Sequence, residues 1–594
     1  MKKNRYILLT ALALLSSGIA SAQSEKKEKQ EETIERELLI EKEFTPIVRD
    51  ASKITQLPAV EAPKGDTKKS TDYSFWSITG TPLYEVNPLA PAAIGTNMDF
   101  SGQKGYATLG MGNLWNIDAG LGYSFLRNAN TDLSATYDFY NTSGKREGYF
   151  LPKATYKMFQ NKLNVHLNQR ISKVRLDANL TYNQAQFNQP VFTFAPDLPV
   201  TSVNGKNRQN NQVKLNLAIP QIRLAENYDM KLWANYSFYQ KNNFMTAGEG
   251  KHSLTENYIN AGTDLYGNVL GNLKAGASVN VTSWGTDNLM TAVNVTPKVG
   301  VTLDNFDFLV GVGLQFNPEA EALDFMSWPE TAGLSSLYRG GKRFNIYPEI
   351  HMNWSFVPSA SLFATVTGRS ELSTFQNSDD VCYYAAPVAA QFAPVLNNIR
   401  FDGKIGVRAL IANSLSLELF GGAVRYENAV YAKTMFNEGS PLLVNTMAPD
   451  FWSVRYGLKA ELAMGSRLNI GAGIQGSTNM DHIQQPDFTA DFNVGYRPVK
   501  PLLIDLSYQL LGERKAETAT LSLLDYNNGL VVTSNPEQVK MKAANLLKLK
   551  ATYDINKYLA AYVSANNLLN QKYDLWYGLP AQGINFMVGA TLKF

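Results

Sequence analysis

The carboxyl-terminal segment GINFMVGATLKF, residues 583–594, alternates between apolar and mostly polar side chains. Side chains of an extended strand point alternately to opposite faces. One face of this segment therefore carries only apolar side chains, namely Ile584, Phe586, Val588, Ala590, Leu592 and Phe594. The same period of two occurs in 292–303, 306–316 and 467–477. A two-faced strand suits either a sandwich core or a barrel wall in lipid, so alternation alone does not separate these folds.

The number and length of the alternating segments favour a membrane barrel. A bilayer-spanning strand needs about 9 to 11 residues, whereas ordinary globular strands have about 5 to 6. Twenty-two segments of ten or more residues can be placed, beginning near residues 105, 117, 131, 163, 174, 211, 229, 257, 273, 292, 306, 343, 360, 400, 414, 452, 467, 486, 502, 544, 558 and 583. We predict an all-β fold, a large transmembrane antiparallel β-barrel of about 22 strands, within a range of 18 to 22, over residues 105–594.

The connections between these segments also alternate in length. Tight turns are predicted at residues 304–305, 358–359, 412–413, 465–466 and 556–557, and long loops at residues 319–342, 375–399, 430–451 and 518–543. Short periplasmic turns and long external loops are typical of outer-membrane barrels. Because the last strand ends on the tight-turn side, we predict that both termini face the periplasm.

The amino terminus carries the features of a secretory signal peptide. Lys2, Lys3 and Arg5 precede an apolar run, and the small residues 20–22 provide a cleavage site, so we assign residues 1–22 to the signal. No later segment has the 18 or more consecutive apolar residues of a membrane-spanning helix. An exported chain of this kind is either a closed barrel in the outer membrane of a Gram-negative bacterium or a secreted soluble β protein.

Charge divides the mature chain into two regions. Residues 23–75 contain 22 charged side chains, whereas the 519 residues of 76–594 contain 82. We predict a short charged N-terminal periplasmic arm over 23–75, an entry segment partly filling the lumen over 76–104, and the barrel from 105. The whole chain has 55 Lys and Arg against 52 Asp and Glu, a balance that gives no reason to expect nucleic-acid binding. The single cysteine, Cys382, excludes an intramolecular disulfide.

A more apolar stretch, residues 41–54, follows the most charged part of the arm. It is either a simple tether or a docking segment that a partner binds in extended form. The candidate docking residues are Phe44, Pro46, Ile47, Arg49 and Asp50. A periplasmic protein or a lipoprotein would be the partner.

Charged side chains in the predicted strands fall opposite the apolar face. A Lys or Arg facing lipid at mid-membrane costs about 2 to 4 kcal/mol, so we expect these residues to face the lumen. The lumen-facing candidates are Lys298, Arg369, Lys404, Arg408, Glu418, Lys459, Glu461, Asp505, Lys548 and Lys550. Aromatic residues near strand ends are candidates for the interfacial girdles or for ordinary loop packing, namely Tyr456, Tyr508, Tyr553, Tyr558 and Trp576.

Catalytic chemistry is not indicated. There are four histidines, of which His166 and His351 are predicted to face the lumen and His252 and His482 to lie in outer loops. The sequence contains no recognisable nucleophile paired with a base, no phosphate-binding glycine loop and no histidine cluster of the zinc type. We therefore expect no enzyme activity, no catalytic residues, no cofactor and no metal site.

Both ends of the predicted barrel resemble one family. Residues 567–573, NLLNQKY, with the following strand ending in Phe594, resemble the closing hairpin of TonB-dependent outer-membrane receptors. The terminal aromatic is similar to the signal read by the barrel-assembly machinery, and residues 105–113 and 41–54 resemble the opening and lead segments of receptor-like barrels from Bacteroidetes. The resemblance implies a 22-stranded barrel surrounded by outer-membrane lipid.

The chain departs from this family before the barrel. Members that import chelates or vitamins carry a globular plug domain, and the roughly 80 residues between the cleavage site and the first strand are too few and too charged for a complete plug. Residues 36–41 match a TonB box only loosely, so the involvement of TonB stays open. The sequence predicts solute passage or binding across the outer membrane; the alternative is a non-transporting scaffold that anchors a periplasmic or surface complex through its arm.

Overall fold

The computed structural model describes residues 103–148, 153–188, 190–195, 198–203, 207–242, 253–285, 289–317, 343–374, 376, 395–412, 414–427, 429–437, 440–447, 450–523, 530–532 and 537–594. No helix within these ranges is long and apolar enough to span a membrane. The predicted signal peptide, the charged arm with its docking residues, the loose TonB-box match, nearly all of the entry segment, His252 and Cys382 lie outside the described residues.

The described chain is built almost entirely of strands, with two short 3-10 helices at Asn113–Trp115 and Met480–Ile483. The strands, in chain order, are β1 (Gly105–Gly112), β2 (Ile117–Arg127), β3 (Thr131–Arg146), β4 (Ala154–Ile171), β5 (Val174–Asn188), β6 (Val191–Ala195), β7 (Leu198–Val203), β8 (Asn207–Ala225), β9 (Tyr228–Asn242), β10 (Ser253–Leu270), β11 (Leu273–Gly285), β12 (Met290–Thr302), β13 (Phe306–Phe316), β14 (Phe344–Val357), β15 (Ala360–Ser373), β16 (Val395–Ile411), β17 (Leu415–Glu427), β18 (Val430–Asn437), β19 (Ser440–Met447), β20 (Phe451–Met464), β21 (Leu468–Ser477), β22 (Phe488–Val499), β23 (Leu502–Leu511), β24 (Arg514–Leu523), β25 (Leu530–Val532), β26 (Glu537–Met541), β27 (Ala544–Asp554), β28 (Leu559–Asn566), β29 (Asp574–Trp576), β30 (Leu579–Pro580) and β31 (Asn585–Lys593).

Twenty-two of these strands form one closed antiparallel barrel. Each barrel strand pairs with its neighbours in chain order, and β1 pairs with β31 to complete the wall. The backbone nitrogens of Lys104 and Gly105 both donate to the carbonyl oxygen of Phe594 at 2.7 Å, and the Phe594 nitrogen donates back to Gly105 at 2.9 Å. The predicted fold class and the count of 22 strands are confirmed. Closure leaves no strand edge in the wall, as a bilayer requires.

The two faces of the wall differ in the manner that the alternation predicts. In β31, Val588 is 62% exposed and its neighbour Met587 is 5% exposed. In β17, Leu419 is 58% exposed whereas Glu418 is buried. The outward face is thus apolar and accessible, and the inward face carries the polar and charged side chains.

The tight turns gather at one end of the barrel, together with Lys104 and the carboxyl terminus. Gly271 and Gly465 adopt left-handed φ angles of 54° and 59°, a conformation that glycine tolerates without a steric cost. At residues 556–557 the side-chain oxygen of Asn556 accepts hydrogen bonds from the nitrogens of Tyr558 at 2.8 Å and Leu559 at 3.0 Å. This turn therefore forms because an Asn side chain replaces a backbone acceptor.

The structure corrects the expectation at the opposite end. The predicted loop 430–451 contains β18 and β19, and the predicted loop 518–543 contains part of β24 with β25 and β26. These strands form a separate five-stranded sheet in which β18 and β24 run parallel. The alternation also misplaced the start of β4, which begins at Ala154 and not near 163, because Tyr156 and Met158 turn large apolar side chains inward.

Spin labels would test the two faces of β31. We expect Val588→Cys and Leu592→Cys labels in lipid vesicles to collide frequently with dissolved oxygen, because these positions are 62% and 49% exposed on the apolar face. Labels at Met587→Cys and Thr591→Cys, which are 5% and 4% exposed, serve as the matched controls and should show low oxygen accessibility. The reverse order of oxygen accessibility would contradict the assignment of Val588 and Leu592 to the outward face and of Met587 and Thr591 to the inward face.

Candidate functional site

The inner wall of β15, β16, β17 and β20 carries two clusters of ion pairs. In the first, the Asp402 carboxylate accepts a hydrogen bond from an Arg455 guanidinium nitrogen and lies 3.7 Å from Arg369 Nη1. The side chains of Arg455 and Asp402 are 9% and 15% exposed. Charges with this little solvent interact strongly, so the cluster fixes the relative positions of these strands.

The second cluster surrounds Glu418. Its carboxylate oxygens lie 2.9 Å from Lys404 Nζ and 3.1 Å from Arg408 Nε. Both cations also stack on aromatic rings: Lys404 Nζ lies 4.0 Å from the centroid of Phe420, and the Arg408 guanidinium carbon lies 3.9 Å from that of Phe363. The ring faces add cation–π attraction to the ion pairs. Four sequence-predicted residues are thus brought together, since Arg369, Lys404, Arg408 and Glu418 lie on one stretch of wall.

The other predicted lumen-facing residues make contacts of their own, although Lys459 is the direct cross-strand neighbour of Glu418. Lys459 Nζ contacts Glu461 at 2.7 Å, and both side chains are largely exposed, which makes this pair weak. Asp505 is the cross-strand partner of Lys550, whose Nζ lies 4.9 Å from the Tyr562 ring centroid. Lys548 faces the same side as Lys550 because the two are separated by one residue in β27.

Lys298 belongs to a third network, on β10, β11 and β12. Its Nζ lies 2.6 Å from Asp264 Oδ1 and donates to Ser278 Oγ at 2.9 Å. Ser278 Oγ in turn donates to Asp264 at 2.9 Å. Asp264, Asp402 and Arg455 are not among the lumen-facing residues predicted from the sequence. Their inward-facing positions follow from the period of two, but their pairing depends on the register between strands.

Two predicted lumen histidines lie beside carboxylates. His351 Nε2 is 3.6 Å from Glu349 Oε1, and His166 Nε2 is 3.9 Å from Asp177 Oδ1. Among the residues that the structure describes, no three His, Cys, Asp or Glu side chains gather in a way that could hold a metal ion. The arrangement of charges of both signs can bind and steer charged or polar solutes.

The final connection, residues 567–584, forms a buried structure at the end opposite the tight turns. It contains the short hairpin β29–β30, in which Trp576 is 5% exposed. The Arg514 guanidinium donates to the backbone carbonyls of Leu575 at 2.7 Å and Asp574 at 2.5 Å. Gln582 Nε2 donates to Asn116 Oδ1 at 3.1 Å. Of the two interpretations of Trp576, a girdle residue is wrong and loop packing agrees with the structure, because this hydrogen-bonded connection buries the indole.

Other girdle candidates lie on the outside of the wall. Tyr456, Tyr553 and Tyr558 are about half exposed, at 50%, 49% and 49%. Tyr508 donates its hydroxyl to Asn545 Oδ1 at 2.7 Å. An exposed phenol with its ring among aliphatic neighbours is the arrangement expected at a boundary between hydrocarbon and water.

Two ion pairs and a buried tyrosine lie in the connections at this end. Lys515 Nζ lies 2.5 Å from Asp481 Oδ2, and this hydrogen bond raises the pKa of Lys515. Glu147 Oε1 lies 2.9 Å from Lys572 Nζ, and this hydrogen bond lowers the pKa of Glu147. Burial raises the pKa of Tyr573 to about 12. All three groups therefore keep their present charge state throughout the physiological pH range.

A hydrophobic cluster joins a further connection to the wall at the same end. Ile483, on the 3-10 helix between β21 and β22, belongs to a buried cluster with Val424 and Tyr426 of β17. The Tyr426 and Phe451 rings stack at 4.9 Å. The connections that follow β21, β23 and β28 are thus fixed by packing, an ion pair and hydrogen bonds to backbone carbonyls.

The fold of the barrel is similar to that of solved structures of two transporters and a receptor. No protein-family model matches the chain, and no curated protein matches it. The FrpB iron transporter from Neisseria meningitidis (F3-3 variant) is similar in structure, with a TM-score of 0.58, 14% identity, and coverage of 83% of this chain and 81% of that one. The ferripyoverdine receptor of the outer membrane of Pseudomonas aeruginosa gives a TM-score of 0.53 at 12% identity, covering 83% and 72%. The copper transporter OprC gives 0.54 at 11%, covering 83% and 80%. At these identities the likeness shows a common fold.

Removing the Glu418 carboxylate should destabilise the barrel. We expect Glu418→Gln to lower the free energy of unfolding by about 1.5 to 3 kcal/mol, because the charge-assisted hydrogen bonds with Lys404 and Arg408 are lost in a poorly solvated place. Urea unfolding in phospholipid vesicles, followed by tryptophan fluorescence, measures this loss. Glu461→Gln is the control and should cost less than about 1 kcal/mol, since its pair with Lys459 is exposed. Equal losses would contradict the assigned strength of the Glu418 cluster.

Replacing Arg514 should loosen the final connection. Arg514→Met removes the two hydrogen bonds to the carbonyls of Asp574 and Leu575, each worth about 1 kcal/mol. We expect chymotrypsin to cleave within residues 567–584 about tenfold faster, because local opening becomes more frequent. The control, Lys515→Met, removes the half-buried ion pair with Asp481, which does not contact residues 567–584, and should leave this rate unchanged. An unchanged rate in Arg514→Met would show that the hydrogen bonds do not hold the connection.

Proposed function

We propose that this protein is an outer-membrane, TonB-dependent-receptor-like barrel that binds a solute or passes it across the outer membrane. One observation carries the proposal: a closed 22-strand wall has an apolar outward face and an inward face of charged side chains. A wall of this kind separates lipid from a polar interior. The structural neighbours support the proposal, since they are described as an iron transporter, an outer-membrane ferripyoverdine receptor and a copper transporter.

The inward-facing charges are the proposed site of solute contact. The ten lumen-facing residues predicted from the sequence border the interior with charges of both signs. Fixed charges near a narrow aqueous path replace part of a solute's hydration and favour ions of opposite sign. The Glu418 cluster and the Asp402 cluster are the most ordered parts of this wall, since each holds its carboxylate between two cations.

Orientation in the membrane is part of the same proposal. The tight turns and both barrel ends, Lys104 and Phe594, would face the periplasm, and the longer connections would face outward. The arm over residues 23–75 would then be periplasmic, with Phe44, Pro46, Ile47, Arg49 and Asp50 available to a periplasmic or lipoprotein partner or to TonB. Phe594 would be read by the barrel-assembly machinery.

Planar bilayer recordings test solute passage. In this proposal the buried β29–β30 hairpin narrows the path through the barrel at the end opposite the tight turns. We therefore expect a variant with residues 574–580 replaced by a Gly-Ser linker to show larger and more frequent conductance steps than the wild type. In that background, Glu418→Gln should shift the reversal potential in a salt gradient toward anion selectivity, since a negative charge is removed. Arg408→Gln is the matched control, because it removes a positive charge from the same cluster and should shift the reversal potential in the opposite direction.

A silent bilayer with well-folded wild-type and linker proteins would count against passage. Mass spectrometry of small molecules that co-purify with the full chain then tests solute binding. Loss of a stoichiometric partner protein after deletion of residues 24–75, with unchanged permeability, would instead indicate the scaffold.

A further inference from the structure

A recurrent tyrosine–amide contact lies on the outward face of the barrel. In four places a tyrosine hydroxyl donates to the amide oxygen of an Asn on the next barrel strand. The four pairs are Tyr137–Asn161 at 2.6 Å, Tyr182–Asn211 at 3.5 Å, Tyr236–Asn257 at 2.9 Å and Tyr508–Asn545 at 2.7 Å. The geometry repeats as well. The residue directly opposite each tyrosine on the next strand is aliphatic, namely Leu163, Val213, Ile259 and Leu547. On that strand, the Asn lies two residues farther from the tight turns than the aliphatic residue.

Three of these contacts lie on neighbouring strands, β3 to β10, where the strand register places amide side chains in a row. Asn161 Nδ2 donates to Gln184 Oε1 at 2.9 Å, and Gln209 Nε2 donates to Asn211 Oδ1 at 3.0 Å. Asn211 Nδ2 reaches Gln240 Oε1 at 3.5 Å. We call this row the amide shelf; its members are Asn161, Gln184, Gln209, Asn211, Gln240 and Asn257. The fourth contact, Tyr508–Asn545, lies on β23 and β27, away from the shelf.

The shelf is on the outside of the wall, directly beyond the apolar band. Its members share a face with Leu163 and Ile259, which are 40% and 41% exposed, and they are partly exposed themselves. The residues that alternate with them point inward and are buried, as Asn210 and Tyr239 show at 7% and 3% exposure. A polar row that begins where the exposed aliphatic residues end lies at the level of lipid headgroups.

The chemistry of the shelf indicates which headgroup it fits. All six members are uncharged amides, and each amide offers both donors and an acceptor. This pattern matches the hydroxyl groups of a sugar, which also donate and accept, whereas a phosphate calls for cations. The tyrosine rings below the shelf keep their apolar bodies beside acyl chains and their hydroxyls beside the amides.

We propose that the amide shelf binds the saccharide headgroup of an outer-leaflet glycolipid. The acyl chains of this lipid cover the aliphatic band of β3 to β10, and its sugar hydroxyls exchange hydrogen bonds with the shelf. The proposal rests on the proposed outer-membrane location with the longer connections outside. It adds a lipid ligand on the outer surface that is independent of any solute in the lumen.

Glycolipid binding by the full chain in phospholipid nanodiscs tests the proposal, with purified lipopolysaccharide as the probe. The triple variant Asn161→Leu, Asn211→Leu, Asn257→Leu should weaken binding about tenfold or more, because several hydrogen bonds of about 1 kcal/mol are lost. Asn545→Leu removes the same kind of tyrosine–amide contact away from the shelf and should leave the affinity unchanged. The variant Asn161→Gln, Asn211→Gln, Asn257→Gln keeps the amides and should retain binding within about threefold.

Several outcomes would overturn the proposal. These are unchanged lipopolysaccharide affinity in the triple Leu variant, an equal loss in Asn545→Leu, and a triple Leu variant that alters self-association without altering glycolipid affinity. Heat-modifiable gel mobility verifies folding, and if the triple variant does not fold, Asn211→Leu alone serves, with an expected loss of about threefold or more. Failure of the native chain to partition into the membrane fraction of cells would refute the proposed location. The nanodisc measurement tests glycolipid binding separately, so the two failures can be distinguished.

Discussion

Complete pairing of the backbone within the wall is the constraint on which this structure depends. Hydrocarbon supplies no partner for an amide nitrogen or a carbonyl oxygen, so a wall of strands in lipid must close on itself. Closure occurs where β1 meets β31, and side chains reinforce it, since Thr108 Oγ1 and Thr591 Oγ1 lie 2.9 Å apart. Gly110 lies at this closure because an added Cβ would collide with the Tyr562 hydroxyl. Once the wall is closed, the alternation of each strand divides all its side chains between an apolar outside and a polar inside.

The barrel could be predicted from the sequence because its determinant is local. Each strand carries its own period of two, so 22 starting points could be placed without knowledge of any neighbour, and the structure has 22 barrel strands. The start of β4 was missed where Tyr156 and Met158 interrupt the polar face. The short strands beyond the wall were missed because their segments lack the alternation: β19 has the sequence SPLLVNTM, and β25 has only three residues. Their assembly into one sheet also depends on pairing between β18 and β24, which are about eighty residues apart.

The candidate site was only half predictable. The inward position of Lys404 or Glu418 follows from alternation, whereas the pairing of Asp402 with Arg455 depends on register across β16, β17 and β20. The burial of Trp576 depends on hydrogen bonds from Arg514, about sixty residues away, and no local pattern encodes them. The wall clusters, the fixed connections and the amide shelf are all products of strand register. The molecule thus has a charged interior, a hydrogen-bonded end opposite the tight turns, and a row of neutral amides on its outward face.

Strand length varies around the barrel, and this has a consequence for the surrounding bilayer. β8 has 19 residues, whereas β1 has 8 and β31 has 9. At about 3.3 Å per residue, β1 is about 26 Å long even before tilt shortens its projection, less than the roughly 30 Å of a typical hydrocarbon core. Hydrophobic mismatch is then concentrated on one side of the protein, where acyl chains must compress to meet the wall. The bilayer is therefore thinnest beside β1 and β31, and lipids with shorter acyl chains are favoured on that side of the barrel.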